Sequence, residues 1–173
     1  ADDDRHKGFM EVMEANPGMK VVKETFTDWS FAPAGKQAND ILSSNQQVDG
    51  FWTSGIDYVV VDALKKAGQE KVPVIGADNN KFLEQLMDGA PGAAVTNPAA
   101  IGGVGTAIAI QALNGEEPEK VTTLTPEVWD METEAQTIEE FHDPELPPTY
   151  SSQMIVEPYT TYTQEQLTGC QGP

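Results

Sequence analysis

Four short stretches of this sequence carry the polar and aromatic side chains that could do chemistry: Asp28-Trp29, Thr53-Ser54-Gly55-Ile56-Asp57, Asp78-Asn79-Asn80 and Thr96-Asn97. Carboxylates accept hydrogen bonds from vicinal hydroxyls, amides both donate and accept, and an indole covers the apolar C–H face of a sugar ring. The set suits an uncharged, polyhydroxylated small molecule. Charge-assisted hydrogen bonds contribute roughly 1.5–3 kcal/mol each, so a few of them with one stacked ring reach micromolar affinity, about 8 kcal/mol. The same residue types are favoured at helix starts and turns for local reasons, and Asp57 opens a helix where a cap is expected.

Position in the chain is what could gather them, because each stretch follows a run that reads as a strand. "MKVVKETF" precedes Asp28, "VDGFW" leads into Thr53, "KVPVIGA" into Asp78 and "GAAVT" into Asn97. Helical spacing of apolar residues fills the intervals: Phe9, Val12 and Met13 from Arg5 to Asn16, and Ala34, Ala38, Ile41 and Leu42 before "NQQ". "DYVVVDALKKAG", "NKFLEQLMDG" and "NPAAIGGVGTAIAIQALNG" follow, with Gly68 and Gly115 as C-terminal stops and Pro98 in a first turn. Strands alternating with helices predict an α/β fold, a parallel sheet flanked by helices. In such a sheet the ligand crevice lies outside the carboxyl ends of the strands. Beyond Glu116 the sequence turns proline-rich and acidic, with short strands at best around Val121–Leu124 and Gln153–Val156, and it reads as an extended tail wrapping over the body.

Composition narrows the function. Twenty-eight acids against ten bases give a net charge of −18 over 173 residues, a surface that repels phosphate backbones, so nucleic acid is not an expected partner. The single cysteine, Cys170, allows no intrachain disulfide and no cysteine metal cluster. His6 and His142 have no metal-ligand spacing and read as exposed or structural. "FAPAGKQA" lacks the glycine and hydroxyl positions of a phosphate loop, and "GGVGTA" sits inside a helix, where its glycines permit close packing. No nucleophile elbow is present, and no carboxylate is set apart as a proton donor, so neither an enzyme nor a cofactor is implied. No run has the apolar length of a membrane span, and "ADDDRHKGF" lacks a leader pattern.

Taken together, "RHKGFMEV", "DGFWTSGID", "VPVIGADNN" and "GAAVTNPAAIGGVGTAIAIQALNGE" resemble the C-terminal half of type I periplasmic sugar-binding proteins, the ribose-binding-like substrate-binding components of ABC importers. The resemblance runs from Arg5 to about Asp130. It implies two lobes that close on a monosaccharide or related small polyol, a membrane permease as partner, and a periplasmic or extracellular location, membrane-tethered in the case of a lipoprotein. Carried over by residue, Arg5 bonds ring or anomeric oxygens, Trp29 stacks on the sugar, Asp78 with its neighbour Asn79 binds paired hydroxyls, and Thr96 or Asn97 marks the return to the other lobe. Ile56, before Asp57, stands where ribose-type members place an asparagine, which favours a ligand with an apolar or deoxy position.

The resemblance also implies a division of the chain. Residues 1–97 form the sugar-binding unit of the C-terminal lobe without its first strand and helix, 98–130 pack on a missing N-terminal lobe, and 131–173 form the tail. Half a clamp is expected to bind sugar weakly when isolated. The competing reading, the effector-binding core of a sugar-responsive transcription regulator, needs a basic DNA-binding head upstream; the acidic balance and the tail weigh against it.

Overall fold

The computed structural model describes residues 2–44 and 47–169, so Cys170 lies outside the described residues. Its centre is a sheet of four strands in the order β1-β2-β3-β4: β1 (Phe51–Trp52), β2 (Val74–Ala77), β3 (Gly92–Val95) and β4 (Val128–Trp129). The first three pair in parallel, and β4 joins β3 antiparallel with Trp129 opposite Ala94. Helices α1 (Asp2–Ala15) and α2 (Phe31–Ser43) precede the sheet, α3 (Asp57–Lys66) and α4 (Asn80–Met87) are the crossovers, and α5 (Ile101–Leu113) lies between β3 and β4. Helices α6 (Ala135–Phe141) and α7 (Gln164–Thr168) complete the chain. Gly68 and Gly115 adopt left-handed φ values of 69° and 85°, the conformation a helix stop requires.

The core forms where α3 and α4 meet the sheet. Val60, Val61 and Leu64 of α3, Phe82, Leu83 and Leu86 of α4, Val74, Ala94, Trp129 and Ile138 make one buried cluster. The spacing of these residues along α3 and α4 is the helical apolar stripe, and β2 alternates, with Val74 buried in the core and Ile75 36% exposed on the opposite face. Gly92 of β3 has φ of 145°, and a Cβ there would overlap the Val74 carbonyl, so the β2–β3 approach needs a glycine.

Three expectations are corrected. "MKVVKETF" is not a strand, and Met19, Val21, Val22 and Phe26 are exposed. A strand is made by its ladder as much as by its propensity, and this segment does not join β1, the edge of the described sheet. The short strands read around Val121–Leu124 and Gln153–Val156 are also not present. The sheet instead takes β4, whose Trp129 is buried and stacked on Phe141 at 5.0 Å. The C-terminal region is not wholly extended either: "AQTIEEF" forms α6 because Ile138 and Phe141 reach the core from one face, a local signal hidden under an acidic, proline-rich average.

Candidate functional site

A cleft of about 590 Å³ opens at the carboxyl ends of the strands, bordered by Arg5, Trp52, Thr53, Gly76, Thr96 and Asn97 on one side and Glu127 and Met154 among the returning segments. A smaller hollow of about 180 Å³ at the amino-end edge, bounded by Val61, Leu64, Val72 and Pro91, contains none of the predicted residues. The larger cleft is where strand geometry puts converging loops and helix N-termini.

Arg5 joins distant parts of the chain. Its Nη2 donates to Asn97 Oδ1 at 2.9 Å, across 92 positions of sequence, and its guanidinium carbon sits 5.3 Å from the ring centroid of Trp29. Such a cation–π contact contributes about 0.5–1 kcal/mol when exposed. Trp29 is presented by an unusual turn, since both Asp28 and Trp29 have left-handed φ values, 49° and 56°. Non-glycine residues held there cost about 1–3 kcal/mol each, a strain that clusters at binding sites. The indole lies over Gly55, whose φ of 120° is a conformation that other residues rarely adopt.

Asn97 in turn reaches Asp78, its backbone N–H donating to Asp78 Oδ1 at 2.9 Å. Arg5, Trp29, Asn97 and Asp78 thus form one connected set. Asp78 is fully enclosed, and its Oδ2 has no hydrogen-bond partner. Asp57 is enclosed as well and lies beneath the cleft lining: Thr53 Oγ1 and Asn79 Nδ2 donate to its two oxygens, and a Cβ on Gly76 would overlap it. It meets the cleft only through Thr53. Asn79 is engaged locally, its Oδ1 capping α4 through the Phe82 N–H at 3.1 Å. Thr96 borders the cleft where the outgoing and returning chains cross, paired with Glu127 through Thr96 N–H to the Glu127 carbonyl at 2.9 Å and Glu127 N–H to Thr96 Oγ1 at 2.8 Å. Ile56 is half-buried at the N-cap of α3, with no capping side chain.

Burial pushes the carboxyls of Asp57 and Asp78 above the ordinary carboxylate value, against hydrogen bonds from Thr53 to Asp57 and from the Asn97 N–H and Ser152 to Asp78 that pull them down. A carboxyl raised on folding binds its proton more tightly in the native state, so stability falls as pH rises from the unfolded value near 3.8 through the raised one. Thermal melts at constant ionic strength should therefore show the protein gaining stability as pH falls through the raised values toward the unfolded one, by at most about 1.4 kcal/mol per pH unit for each group. A flat or opposite profile contradicts the burial account.

Trp52, like Glu127 and Met154 of the returning segments, borders the cleft without having been among the predicted site residues. It stacks on Phe9 at 4.8 Å with an 18° interplanar angle and borders the cleft, 38% exposed. An aromatic one residue before the polar turn of "FWTSG" is the signal that points to it. Among the described residues no group of histidine, cysteine and carboxylate side chains could hold a metal ion.

The same stretch of chain is matched as a family. Residues 1–117 fit the family described as periplasmic binding protein domain. The chain belongs to that family. Curated relatives of this periplasmic binding protein domain include the D-apiose import binding proteins of Actinobacillus succinogenes, 31% identical over 86 residues, and of Paraburkholderia graminis, 33% identical over 101 residues. Those matches cover 48% and 56% of this chain and 27% and 32% of the relatives, so the chain spans less than a third of the curated proteins it matches. In fold, it superposes with a TM-score of 0.70 on the periplasmic binding protein component of the arabinose ABC transporter from Shewanella sp. ANA-3, solved bound to α- and β-L-arabinofuranose. That likeness, at 22% identity, covers 79% of this chain and 48% of the solved one. It bears on the α/β architecture alone.

Proposed function

We propose that this chain is part of the solute-binding component of an ABC importer, holding a monosaccharide or similar polyol between two lobes and delivering it unchanged to a membrane permease. The observation that carries the reading is Arg5, which lines the strand-end cleft together with Asn97 and Trp52, bonds Asn97, and meets Trp29 outside that lining. A guanidinium fork, an aromatic face and an amide converging there are the groups a hydroxyl-rich ring needs, and none requires a reaction step. No catalytic role is assigned to any residue.

In this reading residues 1–97 supply one wall of the clamp and α5 faces the other lobe. Helix α5 buries only Val104, while Ile101 and Leu113 are 63% and 85% exposed, an apolar surface suited to a covering lobe. The protein works in the periplasm or outside the cell, tethered in the case of a lipoprotein. Ile56 disfavours a hydroxyl at one ligand position. The names of the relatives put D-apiose and arabinose into the ligand panel.

The test is a thermal-shift and calorimetric screen of the full-length protein against pentoses, hexoses and deoxysugars. A ligand at 100 times its dissociation constant adds roughly 2.7 kcal/mol of stability, so a binder is plain in the melt. Arg5→Ala should then lower affinity for that sugar about tenfold or more, consistent with a charge-assisted bond of roughly 1.5–3 kcal/mol. Silence across the panel, or an Arg5→Ala protein that binds as well as wild type, overturns the reading.

A further inference from the structure

The C-terminal region is anchored on both sides of the cleft. At one end the carbonyls of Tyr150 and Pro148 accept from the Asn80 and Lys81 N–H groups at 2.8 and 3.1 Å, while Ser151 forms an antiparallel bridge with Asn79. Asn80 Nδ2 adds bonds to the Asp143 and Leu146 carbonyls at 2.7 and 3.1 Å. These backbone donors are the free N–H groups that every helix start leaves over, so the segment is held at the N-terminus of α4, beside the carboxyl end of β2.

The other anchor is on α5. Thr160 is 3% exposed, its Oγ1 accepts from the Val156 N–H at 2.8 Å, and its methyl occupies the space left by Gly103. A Cβ on Gly103 would come within 2.8 Å of Thr160 Cγ2, whereas one on Gly102 or Gly105 would meet nothing within 4 Å. Of the three glycines in "GGVGTA", one is therefore matched to the C-terminal region.

Between the anchors the chain crosses the cleft. Met154, Ile155 and Val156 line it. Ser152 is 2% exposed and donates from Oγ to the Asp78 carbonyl at 3.3 Å, at the place where Asp78 is enclosed with one carboxylate oxygen unpaired. A buried acceptor left without a partner costs about 1–3 kcal/mol, and the Asp78 oxygen lies enclosed beneath the crossing chain.

We propose that the C-terminal region is a strap, fixed on α4 and on Gly103 of α5, whose middle, Met154 to Val156, is a wall of the ligand cleft above the enclosed Asp78. The inference rests on the sugar-binding reading above and adds to it a specificity element outside the four strand ends. Ser152 frames the carboxylate, and Met154 presents an apolar surface that limits what fits beside it.

Two substitutions in the full-length protein test it, read by calorimetry with the sugar that most stabilises wild type. Gly103→Leu fills the Thr160 seat without touching a residue assigned to the ligand, and should weaken binding about tenfold. Hydrogen exchange at the Asn80 and Lys81 amides reports whether the α4 anchor persists in that variant. Met154→Ala should change the order of preference among sugars that differ by one substituent, and it keeps the test decisive if Gly103→Leu does not fold. A wild type that binds while Met154→Ala keeps its affinity and order, and any folded Gly103→Leu does the same, overturns the strap and leaves the sugar-binding reading standing. A wild type that answers no sugar in the panel overturns both.

Discussion

Asp78→Asn in the full-length protein is expected to lose about 10- to 100-fold in sugar affinity and yet to melt at a higher temperature when ligand-free. In the sugar-binding reading the affinity loss follows from replacing a carboxylate, whose charge-assisted bonds to ligand hydroxyls would each contribute roughly 1.5–3 kcal/mol, by a neutral amide. The stability gain follows from burial. Asp78 is fully enclosed, its Oδ2 is unpaired, and desolvation raises its carboxyl above the ordinary range. An amide of the same shape keeps an oxygen for the Asn97 N–H, carries no charge to desolvate, and has the Ser152 hydroxyl beside it, which rotates to accept as readily as to donate.

Relief of about 1 kcal/mol corresponds to roughly 2–4 °C for a chain of this size. The variant should also lose part of the stability gained on acidification, which separates Asp78 from a general easing of the acidic surface. Calorimetry and thermal melts run side by side check both halves. Unchanged affinity removes Asp78 from the site, and a lowered melting temperature shows that its carboxylate supports the fold.

Phe82→Ala should destabilise the fold by about 3–5 kcal/mol, the range for truncating a fully buried aromatic. Phe82 has no solvent exposure and sits in the first turn of α4, clustered with Leu83, Leu86, Val74, Trp129 and Ile138. Its own N–H is the one that Asn79 caps, so the cavity opens directly under the residues that close the carboxyl end of β2. Against a native stability of about 5–15 kcal/mol, that loss leaves a substantial unfolded fraction on modest warming. Urea unfolding measures it. Val12→Ala, at a site 55% exposed, is the control and should stay within about 0.5 kcal/mol.

Much of this was legible in the chain. The polar strand ends could be located because helix stops such as Gly68 and Gly115 and the apolar stripes of α3 and α4 are local signals, carried by neighbouring residues and independent of what packs on them. "VPVIGADNN" reads as a covered strand ending in hydrogen-bonding groups; Asp78 and Asn79 do stand at its end, but only one face is covered, Val74 being buried and Ile75 36% exposed. Arg5 is the only arginine of the sequence, yet it entered through resemblance, because no local pattern says what a lone guanidinium will meet. Its contact with Asn97 spans 92 positions.

What failed in the sequence reading failed for a common reason. "MKVVKETF" has the composition of a strand but not a place in the ladder, and "AQTIEEF" has a helical stripe whose value depends on Trp129 and Phe141 meeting. Composition and periodicity by themselves determined the α/β alternation, the acidic surface and the polar character of the strand ends. Tertiary structure alone decided which of those polar groups stay open and which are enclosed: Asp57 under Gly76, Asp78 behind Ser152, Arg5 between Trp29 and Asn97. Burial and hydrogen-bond partnership are properties of what the remote chain brings to a site, and no local pattern encodes them.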